Sequence, residues 1–252
     1  MKIYLKILLV FIAFSCNSKE NFYSYQSTKD KMQIISVEKL NHQQKIQLDS
    51  IFEIKNIIDL ESPENIFIGA YDKVLVSDKA IFIMDSDRTH SIFAFDFEGR
   101  FLFKIADLGQ GPEEYQELRD FTISTSDSLI EILDFAGRKI LKYELNTGKF
   151  LSSLPLDKNT YFGSLESSQG YYAFSHNNIC GLLGDCYNLT LSNRKLTNDT
   201  SFLIIPKNLR NYDLKPNQIF SRNGENIYFK ELFNDTIYKI DFVEPKLEAA
   251  FA

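Results

Sequence analysis

Two stretches of the chain repeat the same order of apolar strands and polar turns. Residues 80–105 (AIFIMDSDRTHSIFAFDFEGRFLFKI) and 129–154 (LIEILDFAGRKILKYELNTGKFLSSL) both run from an apolar strand through an aspartate and a polar turn to a second apolar strand. A glycine turn then leads to a third strand. Gly99 and Gly148 lie 49 positions apart, and each directly precedes a basic residue and a Phe. Glycine permits the positive φ of a tight hairpin turn, so the pattern predicts repeated antiparallel hairpins.

Weaker copies of the same unit follow in the second half of the chain. GYYAFSH (170–176) and YNLTLSNRKL (187–196) form a third unit, and ENIYFKELFNDTIYKIDF (225–242) forms a fourth. The units recur about every 40 to 55 residues, which is the period of β-propeller blades.

The composition of the strands indicates how they are packed. IFAFDF (92–97) and AIFIM (80–84) are apolar at successive positions, which implies burial on both faces. The strands of a two-sheet sandwich would alternate between apolar and polar residues. The chain holds 22 Phe and 13 Tyr but no Trp, and aromatic residues suit packed sheets. The sequence therefore predicts an all-β fold, a β-propeller of four-stranded antiparallel blades.

The first residues have the pattern of an export signal. Lys2 and Lys6 form a short basic region, and residues 7–14 are unbroken apolar sequence. This run matches the apolar region of a signal peptide and is far shorter than the roughly 20 residues that span a bilayer. We therefore predict a signal peptide over residues 1–15.

Cys16 directly follows this segment, after the small residues Ala13 and Ser15. The arrangement resembles a bacterial lipobox, whose cysteine is acylated after cleavage, although Ala13 stands where the usual lipobox has Leu. A plain secretory signal and an uncleaved N-terminal anchor are the alternatives. We predict a lipid-anchored flexible tether over residues 16–31, a propeller domain over residues 32–252, and a location on the outer membrane, on its periplasmic or its surface side.

The net charge of −6 and the dispersed Lys and Arg residues argue against a nucleic-acid partner, which calls for a concentrated basic face. Cys180 and Cys186 are the remaining cysteines. In an oxidising compartment they could close a small disulfide, with free thiols as the alternative. Two cysteines without further ligands make a poor zinc site, so no metal or cofactor is expected.

The segment GQGPEEY, residues 109–115, lacks the lysine of a phosphate-binding loop and the third glycine of a dinucleotide-binding turn, so we interpret it as a turn between blades. It resembles the Gly-x-Gly-Pro-x-Glu-Tyr segment of a family of six-bladed β-propeller lipoproteins common in Bacteroidota. The matching positions are Gly109, Gly111, Pro112, Glu114 and Tyr115.

The resemblance extends over about residues 46–245 and implies six blades but no established activity. Four units are countable in this chain, so we expect an incomplete six-bladed ring. Pairing of its open edge with another chain is a hypothesis.

Residues with catalytic potential form no recognisable motif. His42, His90 and His176 are scattered, and the sequence contains neither a Gly-x-Ser-x-Gly elbow nor a His-Glu-x-x-His helix. A site that gathers His90 and His176 at the axis stays an alternative. Asp85 and Asp134 hold equivalent repeat positions and are interpreted as turn-forming residues whose carboxylates bind nearby backbone.

We therefore expect a non-catalytic binding or scaffold protein at the cell envelope. The lipid would attach it to the membrane, and the propeller would contact a glycan, a peptide or an envelope protein. The alternative is a glycan-active lyase or hydrolase with a site on the propeller axis.

Replacing Cys16 by Ser should abolish metabolic labelling of the protein with a radioactive fatty acid and release it from the membrane fraction, because the acylated sulfur is lost. Cys180→Ser is the matched control and should keep both the label and the location. An unlabelled parent protein would contradict the lipid anchor.

Overall fold

The computed structural model describes residues 53–64, 66–182, 184, 186–211 and 218–251. The predicted signal peptide (1–15), the tether (16–31), Cys16 and His42 lie outside the described residues. The proposed division of the chain into these domains stays a prediction.

The described chain forms sixteen strands in four sheets, and each sheet holds four consecutive antiparallel strands. The first blade holds β1 (Lys73–Val76), β2 (Ile81–Asp85), β3 (Ser91–Phe95) and β4 (Phe101–Ile105). The second holds β5 (Leu118–Ser124), β6 (Leu129–Asp134), β7 (Lys139–Glu144) and β8 (Phe150–Pro155). The third holds β9 (Ser164–Ser168), β10 (Tyr171–Ser175), β11 (Tyr187–Asn193) and β12 (Asp199–Ile204). The fourth holds β13 (Phe220–Asn223), β14 (Asn226–Lys230), β15 (Ile237–Asp241) and β16 (Lys246–Phe251).

This arrangement confirms the predicted all-β propeller of four-stranded antiparallel blades. The first strands of the blades lie innermost, around a common axis, with β5 between β1 and β9. A short 3-10 helix, Lys207–Leu209, follows the third blade.

Three apolar cores hold neighbouring blades together. Phe82 and Ile92 of the first blade pack with Phe121 and Ile130 of the second, and all four side chains are fully buried. A second core joins the second and third blades, and a third core joins the third and fourth. The strands whose sequences are apolar at successive positions, β2 and β3 of the first blade, are buried on both faces, as the sequence pattern indicated.

The outer face of the first blade is apolar as well. Ile83, Phe93 and Phe95 on this face are buried beneath Ile66 and Ile68 of the lead-in segment, which comprises the described residues from 53 to 72. Backbone bonds hold this segment in place, since Glu61 donates its N–H to the carbonyl of Gly99 at 2.7 Å.

The lead-in segment does not cover the whole outer face of the first blade, because part of β1 stays exposed. Val74 pairs with Ile83 across the sheet, so it shares the outer face of the first blade. Val74 and Val76 are 47% and 58% exposed. Part of this apolar face therefore lies open to solvent.

The outer face of the fourth blade is polar, whereas that of the first blade is apolar. Ile227 and Ile240 point toward the third blade and are buried. The alternate positions carry Tyr228, Lys239 and Glu248, which lie side by side across the sheet. This end of the described arc thus carries a more polar outer surface than the first blade does.

Asp85 fastens the entry of the first blade to its central hairpin. One carboxylate oxygen accepts hydrogen bonds from the N–H groups of Arg88 and Thr89, at 2.8 and 3.3 Å. The other accepts from the N–H groups of Gly69 and Ala70, at 2.8 and 3.1 Å. The turn-forming role predicted for this residue therefore extends to a segment of chain well before it.

Asp134 links the entry of the second blade to its central hairpin in the same way. Its Oδ1 accepts from the N–H of Gly137 in the following turn at 2.9 Å and from the N–H of Glu117, just before β5, at 3.0 Å. The equivalent sequence positions of the two aspartates thus correspond to equivalent structural roles.

Burial by itself raises the pKa of the Asp85 carboxyl, but the four backbone donors outweigh that effect and hold the pKa below its ordinary value of 3.8. The folded pKa is lowered, so the stabilisation is fully present above the pKa of the unfolded chain. It is lost as the pH falls through the folded pKa.

Asp85→Asn should therefore lower the free energy of unfolding by about 3 kcal/mol at neutral pH, because an amide cannot accept all four bonds. The loss should shrink as the pH falls below about 4 and through the lowered pKa of the folded state, because the parent then loses the same stabilisation. Urea unfolding at several pH values measures both effects. Asp78→Asn, at an exposed turn position, is the matched control and should change little.

Candidate functional site

A cavity of about 600 Å³ lies on the propeller axis, where the first strand of each blade begins. Residues at the starts of β1, β5, β9 and β13 line it, together with side chains of the β2–β3 connection and Asn177 of the β10–β11 connection. All four blades therefore contribute to its wall. The volume falls within the range of about 300–1,000 Å³ that is typical of small-molecule sites.

An ion pair joins the first two blades at the cavity wall. Lys73 Nζ lies 2.8 Å from Asp120 Oδ1, and both side chains are only 9% exposed. Lys73 also donates to the carbonyl of Phe121 at 2.8 Å. The other oxygen of Asp120 accepts from the N–H of Leu165 at 2.8 Å, so this carboxylate links three blades.

Arg119 stands beside this pair and is bound to neighbouring groups. It donates to the hydroxyl of Tyr161, and its Nε donates to the carbonyl of Gly163 at 3.4 Å. Its guanidinium lies 5.2 Å from the centroid of the Phe135 ring, a cation–π contact. These contacts place the arginine against the entry to the third blade.

Asp72, the residue before Lys73, also lines the cavity and accepts two hydrogen bonds through Oδ2. The donors are the N–H and the hydroxyl of Ser86, both at 2.7 Å. Asp87 and Gln218 also line the cavity and have no hydrogen-bond partner among the described residues. The wall thus combines paired charges with polar groups that remain available to a ligand.

Further polar contacts between blades lie away from the cavity. Glu166 accepts from the hydroxyl of Thr122 and from Arg222 Nη2, both at 2.6 Å, and so joins three consecutive blades. Glu131 accepts from the hydroxyl of Tyr172 at 2.6 Å and from Arg194.

The Glu131 contacts show how buried charge is stabilised between blades. Burial disfavours the charged form of Arg194, but the carboxylate of Glu131 outweighs this effect and raises the pKa of the guanidinium. Burial is also the main reason that the pKa of Tyr172 is raised, and the nearby charge of Glu131 adds to it.

The structure places the Gly-Gln-Gly-Pro segment in the connection between β4 and β5, and hence between two blades. Gly111 donates its N–H to Glu114 Oε2 at 2.8 Å. A Cβ atom on Gly109 would lie 1.9 Å from the same oxygen, so a larger residue there would displace the Glu114 carboxylate from this position. Pro112 follows within the same loop, where its carbonyl lies 3.5 Å from Lys139 Nζ.

Tyr115 ends this loop and is fully buried between the first two blades. Its hydroxyl donates to the carbonyl of His90 at 2.5 Å, and burial raises the pKa of the phenol. The segment therefore acts as a brace between blades, and its two flanking residues, Leu108 and Gln116, line the cavity.

Cys180 and Cys186 form a disulfide in the β10–β11 connection, with their Cα atoms 4.4 Å apart. This connection also carries Asn177, which lines the cavity. The disulfide thus closes a loop next to the axial opening.

The two described histidines have different surroundings. His90 lines the cavity. His176 is buried, and its ring bonds the carbonyl of Tyr161 and the hydroxyl of Thr190, the latter at 2.8 Å. Within the described ranges, no group of three His, Cys, Asp or Glu residues is placed to hold a metal ion. The same residues include no helix long and apolar enough to cross a bilayer.

Sequence reasoning did not single out Lys73, Asp120 or Gln218. Each stands in a short polar stretch of the sequence, and no local spacing links the three. The only signal is their shared position at or near the start of the first strand of a blade.

The chain matches a protein family over residues 11–252, and that family is described as Domain of unknown function (DUF4934). The chain belongs to this family. No curated protein matches its sequence.

A solved structure shows the same fold. A “putative exported protein” from Bacteroides fragilis superimposes with a TM-score of 0.69 at 18% identity, over 83% of this chain and 58% of that protein. This DUF4934 chain thus spans little more than half the length of that protein. A virginiamycin B lyase from Staphylococcus aureus gives a TM-score of 0.45 at 14% identity, over 69% of this chain and 53% of the lyase.

Lys73→Met should lower the free energy of unfolding by about 3 kcal/mol, because it leaves the buried carboxylate of Asp120 without its cation. The double variant Lys73→Met/Asp120→Asn should lose less than the sum of the two single variants, since the two residues interact directly. Urea unfolding measures the coupling. Lys246→Met, at an exposed cluster of ion pairs, is the control and should change the free energy of unfolding little. Strictly additive losses would contradict a coupled pair.

Proposed function

We propose that this DUF4934 protein is an exported, lipid-anchored binding protein of the cell envelope that holds a polar ligand in its axial cavity without converting it. The cavity carries the proposal, because it gathers side chains from all four blades at one point. The exported neighbour from Bacteroides fragilis and the sequence around Cys16 support the location.

The pairing of charges in the cavity favours binding over catalysis. The ammonium of Lys73 and the carboxylate of Asp120 bind each other, and Asp72 is held by Ser86. Groups that are bound in this way keep a fixed wall and are poorly placed to exchange protons with a substrate. Their rigidity suits recognition of a ligand.

We also propose that the described blades belong to a six-bladed ring. The outer face of the first blade has the same apolar chemistry as the faces that are buried between blades, and Val74 and Val76 remain exposed on it. Among the described residues no apolar core joins the fourth blade to the first. Additional blades, such as the greater length of the Bacteroides fragilis protein allows, would cover that face.

The chain by itself should therefore self-associate through the first blade, as measured by sedimentation velocity over a range of concentrations. Val76→Lys should weaken the association at least tenfold, because it places a charge on the apolar face. Tyr228→Lys, on the polar face of the fourth blade, is the matched control and should leave association unchanged. A parent chain that stays monomeric at every concentration would contradict an uncovered interface.

A glycan lyase or hydrolase is the second candidate. Asp87, Glu117 and His90 favour it, because they place three ionisable groups on the wall of one cavity. Such an enzyme would convert the glycan that it binds.

A thermal-shift screen of the full chain in mild detergent, against envelope glycans and peptides, tests the binding role. At least one ligand should raise the melting temperature, and chromatography of that ligand after incubation should recover it unchanged. Recovery of a cleaved product would support the enzyme. No shift with any ligand would contradict a binding role for the cavity.

A further inference from the structure

We infer that the axial cavity takes an uncharged, hydroxyl-rich carbohydrate of one or two sugar rings. This inference rests on the proposed binding function and names the chemistry of the ligand. Three properties of the cavity wall support this inference. They are a buried hydrogen-bond donor, an excess of hydrogen-bond acceptors and a local excess of negative charge.

The donor is Lys73. An ammonium group has three N–H bonds, and two of them are used by Asp120 and by the carbonyl of Phe121. The third has no acceptor among the described residues, and because Lys73 lines the cavity this N–H is available to an oxygen atom of a ligand. Because the side chain is only 9% exposed, this hydrogen bond would form away from bulk water, where a charged donor binds most strongly.

The acceptors are carboxylate and amide oxygens. Asp72 uses only Oδ2 in bonds to Ser86, and its Oδ1 accepts no hydrogen bond from the described residues. Asp87 and the amides of Gln116 and Gln218 are exposed at the cavity and have no hydrogen-bond partner in the described part of the chain. A ligand that fills the cavity would replace water at these groups, so a suitable ligand offers several donors as well as an acceptor for Lys73. Sugar hydroxyls do both.

The charge of the wall decides against an anionic ligand. Among the described residues, the cavity is lined by the carboxylates of Asp72, Asp87, Glu117 and Asp120 and by two cationic side chains, Lys73 and Arg119. Both cations are already bound to protein groups. An acidic sugar or a phosphate would meet net repulsion in a partly desolvated site.

Apolar groups complete the wall. Met84, Leu118 and Phe220 line the same cavity and can contact the C–H surface of a sugar ring. A wall that mixes a few convergent polar groups with apolar side chains is the usual composition of a small-molecule site.

Three sugars of one ring type separate the ligand classes: N-acetylglucosamine is neutral, glucosamine is cationic and glucuronic acid is anionic. Titration calorimetry of the full chain in detergent should show saturable binding of the neutral sugar. Its dimer should bind at least as well, and glucuronic acid at least tenfold more weakly. Asp87→Ala, at an exposed position where folding should be unaffected, should weaken the neutral sugar severalfold.

The double variant Lys73→Met/Asp120→Asn tests the donor without leaving an unpaired buried carboxylate, and it should weaken the neutral sugar at least tenfold. Lys246→Met is the matched control and should bind as the parent does. Preferential binding of glucosamine or glucuronic acid, or of peptides alone in the thermal-shift screen, would overturn the inference and leave the binding function standing. Absence of any cavity ligand would overturn both.

Discussion

The packing of one apolar blade face against the next is the constraint on which the rest of the fold depends. Each blade is a small antiparallel sheet that cannot bury its own faces, so it is stable only against a neighbour. Three such contacts hold the four blades, through residues such as Phe121 and Ile240. Because of this constraint, the composition of each outer face indicates whether that face needs a neighbouring blade. The polar face around Lys239 tolerates water, whereas the apolar face around Val76 does not.

Polar contacts near the axis add direction to this apolar packing. Apolar contacts are not directional. The bonds from Lys73 to Asp120 and from Arg222 to Glu166 are directional, so they fix which strands of neighbouring blades meet and at which positions along those strands. They also place charged side chains where the inner strands diverge. The cavity and the stability of the blade stack therefore depend on the same residues, and a substitution at Lys73 should affect both.

Much of this architecture was predictable from the sequence. The repeat that contains Gly99 and Gly148 indicated blades, and apolar residues at successive positions indicated burial on both faces. The Gly109–Tyr115 segment was interpreted as a turn between blades, which is where it lies. The polar outer face of the fourth blade also has a sequence pattern, since apolar and more polar residues alternate in IYFK and IYKID. Alternation alone does not show whether another blade packs on that face.

The sequence by itself determined the strands, the hairpin turns and their antiparallel order, because these depend on hydrogen bonds and side-chain periodicity within short stretches of chain. Only the tertiary structure decided the cavity, the pairing of Lys73 with Asp120 and the exposure of Val76. Asp72 and Phe220 line one cavity although they lie at opposite ends of the described chain. Their proximity depends on the angle at which successive blades stack, and that angle is set by packing between blades, which no local pattern encodes.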